Sequence, residues 1–438
     1  MRLRPTLGAG AALVALGACV WAASNTEDFP YVPLDHPAIQ YQDKAPDDAV
    51  SRLQAKLDAG EVKLKYDPKW GYLPGLLSAF GINTDSQLLV FSKTSFQAQK
   101  ISPKHPRALY FNDDVAIGFV PDGDMMELIA LDPHQGVKFY TLDRAQKDKP
   151  LFSRHDADCL NCHLLPSTLE VPSLLTTSVI PSRDGTPRFP AAAVMVDSRT
   201  PLDQRWGGWY VTGTSGSLRH RGNAIAPDPR QPSQLDRHNT TNLTNLDGRI
   251  DASLYPEPSS DLIALMTLEH QTTMVALLTR LNWETRVALQ EEKVEQFRPR
   301  LDFLSDQLAS YMLFSGEAEI QEPLAGVSSF TKTFAARGPR DKQGRSLRDF
   351  DLNKRLFRYP LSYMIYDAEF DALPAIALDA VYRKLYDALN GKDSKGKYSH
   401  LSQADRTAIV EIVSETKSGL PDYWRASAGS IDPEATSR

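Results

Sequence analysis

Cysteine is scarce in this 438-residue chain: there are three, at positions 19, 159 and 162. No disulfide framework can be built from so few, so the core must hold itself together by packing. A basic surplus is absent as well. The formal net charge is −6, which gives nucleic-acid binding no electrostatic support. No long apolar run follows the first 23 residues, and no internal repeat is visible. No glycine-rich phosphate loop follows an expected strand, and neither G-x-S-x-G nor H-E-x-x-H occurs. What remains is an ordinary globular composition, 42% hydrophobic and 9% aromatic. At ~100–200 residues per domain the length suits one large core or two.

Two of the three cysteines fall in one motif, Cys159-Leu160-Asn161-Cys162-His163. C-x-x-C-H is the pattern of covalent c-type haem attachment. The spacing has a chemical reason. Two thiols three positions apart can each add to a vinyl group on one porphyrin edge, and the next histidine can give its imidazole to the iron. A thioredoxin-like dithiol is the first competing reading, but it expects a strand and then a helix opening at the first cysteine. Here the approach, Arg154-His155-Asp156-Ala157-Asp158, is polar, and Pro166 soon interrupts any helix. Zinc held by Cys159, Cys162 and either His155 or His163 is the second, yet structural zinc usually draws on another ligand pair that the chain lacks. A disulfide between the two motif cysteines is the third.

The leader agrees with haem c, which is attached outside the cytoplasm. Residues 1–23 open with Arg2 and Arg4, run apolar from Leu7 to Ala23 and end in small residues, as a secretory signal does. Leu16-Gly17-Ala18-Cys19 also has the form of a bacterial lipobox, in which Cys19 carries lipid and anchors the mature chain to a membrane. A cut near Val20-Trp21-Ala22 would discard Cys19 instead. Either way the body is expected in the periplasm, free or lipid-anchored.

Further along, Asp47 to Gly60 has the spacing and caps of a first helix. From Gln87 to Asp143 strands are expected at Leu88–Phe91, Ala108–Phe111, Val115–Val120, Leu128–Leu131 and Val137–Thr141, parted by turn residues. After the motif, Val179-Ile180, Ala191 to Val196 and Trp209 to Val211 read as further strands. Gly222 to Ser260 is polar and reads as a loop or linker. Helical spacing then returns at 261–290, 301–314, 374–389 and 403–416, and the chain from 421 is a sparse tail. The expected fold is α+β: a strand-rich region over 24–221 carrying the haem motif and a helical region over 261–420 packing against it. The motif lies too far along the chain, and the first following methionine, Met195, sits in an expected strand, so a small class I cytochrome c fold does not fit.

The second axial ligand decides what such a haem does. His270 is the first candidate. Leu262, Met266, His270, Met274 and Leu278 recur at i,i+4, so His270 interrupts an apolar helical face; a hydrogen-bonded core histidine is the bland alternative. His220 is the second, with Arg219 and Arg221 as partners for haem propionates, or else part of a solvated basic loop. Trp206, Trp209 and Tyr210 could cover a porphyrin but read more simply as core. The charged run from Gly344 to Arg358 reads as a salt-bridged loop.

Two longer phrases, Arg107-Ala108-Leu109-Tyr110-Phe111-Asn112-Asp113-Asp114 and Trp206-Gly207-Gly208-Trp209-Tyr210-Val211-Thr212-Gly213-Thr214, resemble a family of exported bacterial proteins with a single c-type haem motif. That resemblance implies one haem c (iron) per chain and export. The expectation from the motif is a periplasmic monohaem redox protein with Cys159 and Cys162 as tethers and His163 and His270 on the iron. It would exchange single electrons with a redox partner protein or a small-molecule oxidant or reductant. The rival expectation is a haem c-dependent oxidoreductase, peroxidase- or oxygenase-like, with an open sixth position, or a haem-based sensor.

Overall fold

The computed structural model describes residues 30–188, 194–227, 234–392 and 396–427. The leader with Cys19, part of the strand expected at 191–196 and most of the tail lie outside these. In chain order the strands are β1 (Leu88–Val90), β2 (Arg107–Phe111), β3 (Val115–Phe119), β4 (Met125–Asp132), β5 (Gly136–Asp143), β6 (Phe152–Arg154), β7 (Thr177–Ser178), β8 (Ile180–Pro181), β9 (Pro187–Arg188), β10 (Val194–Met195) and β11 (Trp209–Tyr210). Seven form one antiparallel sheet in the order β11-β1-β2-β3-β4-β5-β6, while β7 pairs with β10 and β8 with β9. The tight turns have local causes. Asn112 accepts from the backbone N–H groups of Asp114 and Val115 between β2 and β3. Asp132 does the same for His134 and Gln135 before β5.

The helices are α1 (Ala49–Asp58), α2 (Leu73–Phe80), α3 (Asp156–His163), α4 (Leu262–Gln290), α5 (Val294–Met312), α6 (Phe330–Ala336), α7 (Ala368–Asp371), α8 (Ala375–Leu389), α9 (Gln403–Thr416) and α10 (Asp422–Ser427). The fold is therefore α+β, as its sequence pattern implies. Asp48 starts α1 through a capping box with Ser51, and its carboxylate also accepts from the Tyr140 hydroxyl at 2.5 Å, which fastens the helix to the sheet. Helix α5 begins seven residues earlier than its expected start at 301. Pro299 sits in the second turn, where it removes one backbone bond without ending the helix.

The sheet is covered on both faces. Alternate residues share a face, and register carries Ala108, Tyr110, Ile117, Phe119, Leu128 and Tyr140 to the side packed under α1 and α2. The opposite face brings Leu88, Val90, Phe111, Leu131, Val137 and Phe139 into one core with α4 and the helices beyond it. The strand-rich and helical parts thus share a core. Helix α4 is, by length and composition, apolar enough to cross a membrane, and it is almost wholly buried inside the protein. The last residues of the polar stretch before it are tied down: Gln87 donates to the carbonyls of Glu257 and Ser259, both at 2.7 Å.

Several ionisable groups are buried in or beside α4. Burial pushes Glu269 and Glu369 up to about 7, against the pull of Arg205 on the first. Burial pushes His220 down to about 4 and His270 to about 3. The carboxyls favour the folded state below the ordinary carboxyl range and lose that contribution as pH rises through 7. The histidines contribute fully above about 6.5 and lose it as pH falls through 4. Removing one of these carboxyls isolates its share: Glu369→Gln is expected to make the melting temperature rise more with pH between about 4.5 and 7 than it does in the wild type. Scanning calorimetry of the two proteins across that range checks it; parallel curves would contradict it.

Candidate functional site

Cys159, Cys162 and His163 lie on α3, which follows β6 directly. The polar approach was reason to expect neither strand nor helix there, and both form. Asp156 explains this: its carboxylate accepts from the backbone N–H of Phe139 at 3.2 Å and from Arg154 Nε at 2.8 Å, pinning the helix start to β5. Asp156 and Asp158 also favour the positive end of the helix. Strand and helix context therefore does not separate haem attachment from a redox dithiol. Two features differ from the thioredoxin arrangement: helix α3 opens three residues before Cys159, not at it, and burial, then Glu127, pushes the Cys159 thiol up to about 12. A dithiol oxidoreductase needs the opposite, a thiolate near neutral pH. Both cysteines are free, Cys159 half-buried against the core and Cys162 exposed.

Cys159 and His163, four residues apart, share a face of α3. His163 is held by a reciprocal clamp. Its Nδ1 lies 2.8 Å from the Ser173 carbonyl oxygen, and the Ser173 backbone N–H donates to the His163 carbonyl at 3.1 Å. Burial, with Arg107 adding to it, pushes the imidazole down to about 4, so it is neutral at pH 7. A neutral ring that donates from Nδ1 to a carbonyl keeps its lone pair on Nε2, which makes no hydrogen bond here. A metal-ligating histidine has this tautomer, with its other ring nitrogen held by a carbonyl. Phe139 supports the ring at 5.0 Å between centroids.

The sheet face beside α3 is only partly covered. Phe111, Ala116, Ile129 and Phe139 form one row across β2 to β5, and Leu109, Gly118, Glu127 and Thr141 the next. In a layer otherwise closed, Leu109, Ala116, Ile129, Leu164 and Leu174 remain half-exposed. An ion pair stands on this face. Arg107 and Glu127 pair at 2.9 Å beside Gly118, and Ser95 donates to Glu127 at 2.7 Å. Arg107 Nε is buried without a partner, a donor that an anionic group such as a haem propionate would satisfy. Two thiols, a locked neutral imidazole, an apolar half-covered face and an orphan guanidinium N–H are what a c-type haem requires, so the residues present fit it.

The other candidates are elsewhere. His270 is fully buried in an aromatic cage: Phe314 and Tyr311 stack on it at 4.6 and 5.3 Å, and Nε2 is 2.7 Å from the Ser362 hydroxyl. Thr272, two positions on and therefore about 200° around the helix, faces the motif side, where its carbonyl accepts from Ser173. The structure does not bring His270 to the motif. His220 is buried edge-on against Trp206 at 5.0 Å and is not beside it either, while Arg219 donates to Thr241 at 3.2 Å. His155 faces Asp158 at 3.6 Å and the Phe96 ring. Among the described residues no three His, Cys, Asp or Glu gather as a metal ion would need, so a zinc site is not assembled. Trp206, Trp209 and Tyr210 spend their polar atoms on Glu269, the Thr177 carbonyl and the Pro103 carbonyl. The 344–358 run is salt-bridged: Arg348 to Asp113, Arg345 to Asp341, Arg355 to Asp405.

Ser173, Phe139, Arg107 and Glu127 were not singled out from sequence. Period-2 register places Arg107 with Leu109 and Phe111, and Glu127 with Ile129, so two charges on an apolar face were the available signal. Set against protein-family models, curated proteins and solved structures, the chain matches none.

Proposed function

We propose that the chain is an exported monohaem c-type redox protein, with haem tethered through Cys159 and Cys162 and ligated by His163. The observation that carries this reading is the reciprocal clamp between His163 and Ser173, which fixes the imidazole with Nε2 available on the face that Cys159 shares. When bound, haem c supplies a one-electron ferric/ferrous couple. The chain's own contribution is positional and electrostatic. Ser173 holds the ligand's tautomer, Phe139 supports its ring, the half-covered sheet face limits water, and the Arg107–Glu127 pair places charge within the crevice.

His270 and His220 both stand apart from His163, so neither supplies a second axial ligand in this arrangement. An open sixth position favours small-molecule redox chemistry or ligand sensing over simple electron carriage. The test is spectroscopic, on protein matured where haem c is attached. The reduced spectrum is expected to shift on adding carbon monoxide. An unchanged spectrum would mean a filled sixth position and an electron carrier instead.

A further inference from the structure

We propose that Glu127 and Arg107 are the proton-transfer and charge-stabilising residues for a hydroperoxide, hydrogen peroxide or an alkyl analogue, reduced at the iron; this rests on the haem reading above and names its substrate class. The pair lies beside the motif. Glu127 is two residues along β4 from Ile129, the partner of Phe139 whose ring supports His163, and so about 7 Å along the same face. After burial, the Arg107 charge lowers the His163 imidazole and the Glu127 charge raises the Cys159 thiol, so both stand within reach of the motif. Gly118 lets the two side chains lie on the sheet: a Cβ there would stand 3.4 Å from Glu127 Oε2 and 3.6 Å from Arg107 Cδ.

The hydrogen bonds narrow the ligand. Ser95 Oγ accepts from the Gln97 backbone N–H at 3.0 Å and donates to Glu127 Oε1, while Arg107 Nη1 donates to Oε2. A carboxylate has about four acceptor sites, so about two remain for a proton donor. Arg107 Nε, buried without a partner, needs an acceptor. An anion would meet Arg107 but set its charge against Glu127. A ligand without a proton would leave Glu127 unmatched. Water and alcohols match both groups but hold no bond that a one-electron couple can reduce. A hydroperoxide matches both through adjacent oxygens and carries a reducible O–O bond. The balance is ROOH + 2e⁻ + 2H⁺ → ROH + H₂O, with R as hydrogen or alkyl and the electrons drawn singly from an external one-electron donor. Glu127 takes the proton from one peroxide oxygen and returns it to the other as the O–O bond breaks, and Arg107 stabilises the charge on the departing oxygen.

Two measurements on the haem-loaded full chain test the proposal: stopped-flow mixing with hydrogen peroxide, with ferrocyanide as the electron donor, and the infrared C–O stretch of the reduced carbon monoxide complex. Glu127→Gln and Arg107→Leu are each expected to slow the peroxide reaction about 100-fold while leaving carbon monoxide affinity within about twofold. Arg107→Leu is also expected to raise the C–O stretch, because a positive charge beside the bound ligand weakens its C–O bond. Peroxide rates unchanged in Glu127→Gln, or an unreactive wild type that still binds carbon monoxide, overturn the proposal and leave the haem reading standing. A stretch unmoved by Arg107→Leu would place Arg107 on a haem propionate and overturn it too. Wild type that holds no covalent haem, or holds it without binding carbon monoxide, sinks the reading beneath and this proposal with it.

Discussion

Alanine at both Cys159 and Cys162 is expected to abolish covalently retained haem, the largest single effect in this protein. On the proposed attachment each thiol makes one thioether, so C159A and C162A alone should each leave haem held by a single bond. The two differ in consequence. Cys162 is exposed and touches little, whereas Cys159 packs half-buried against the core, so C159A should also lower stability, by about 1 kcal/mol for a partly buried side chain. His163→Ala tests the other half of the motif. It should keep both thioethers while losing the axial imidazole, which ligand-binding spectra separate from a loss of tethering. Denaturing gels stained for haem report the first outcome; haem persisting on the double variant would contradict it.

The second large effect is expected at Glu269→Ala. Glu269 and Arg205 are both nearly inaccessible, at 1% and 2% exposure, and pair at 3.0 Å. Trp206 Nε1 donates to the same carboxylate at 2.6 Å. Removing it leaves a guanidinium and an indole N–H buried without that acceptor, although Arg205 keeps its bonds to the carbonyls of Thr200 and Ser198. Breaking a buried pair from one side costs roughly 3–5 kcal/mol. Replacing both partners with apolar residues of similar size, R205M/E269L, should recover much of that, since the desolvation penalty then falls away. Urea unfolding of the three proteins distinguishes the pair's net worth from the cost of orphaning one charge. A Glu269→Ala loss below about 1 kcal/mol would mean that the network does not clamp residues 198–206 to α4 as described.

Much of the fold was legible. The β2–β5 meander follows from alternation and from Asn and Asp turns, and α9 forms over the expected 403–416, where Ser402 and Asp405 make a capping box ahead of an apolar stripe. Helix α3 was not, since what starts it is a contact with β5, 17 residues earlier in the chain for the Asp156 bond to Phe139. The motif residues were legible because their chemistry is local. Their supports were not: Ser173 is an unremarkable serine in a loop, and it matters through its backbone carbonyl, which sequence cannot mark. His270 illustrates the reverse error. Its i,i+4 pattern described a buried face correctly, but the pattern does not say which neighbour that face meets, and it meets Tyr311, Phe314 and Ser362 rather than α3.

The most direct test of the haem assignment is the intact mass of the wild-type chain, expressed with a haem-attachment system and extracted with acidified ketone to strip any unattached haem. The expected result is a polypeptide that keeps one haem through extraction, with both motif cysteines blocked to alkylation. A haem-free mass, with Cys159 and Cys162 alkylated, would contradict it.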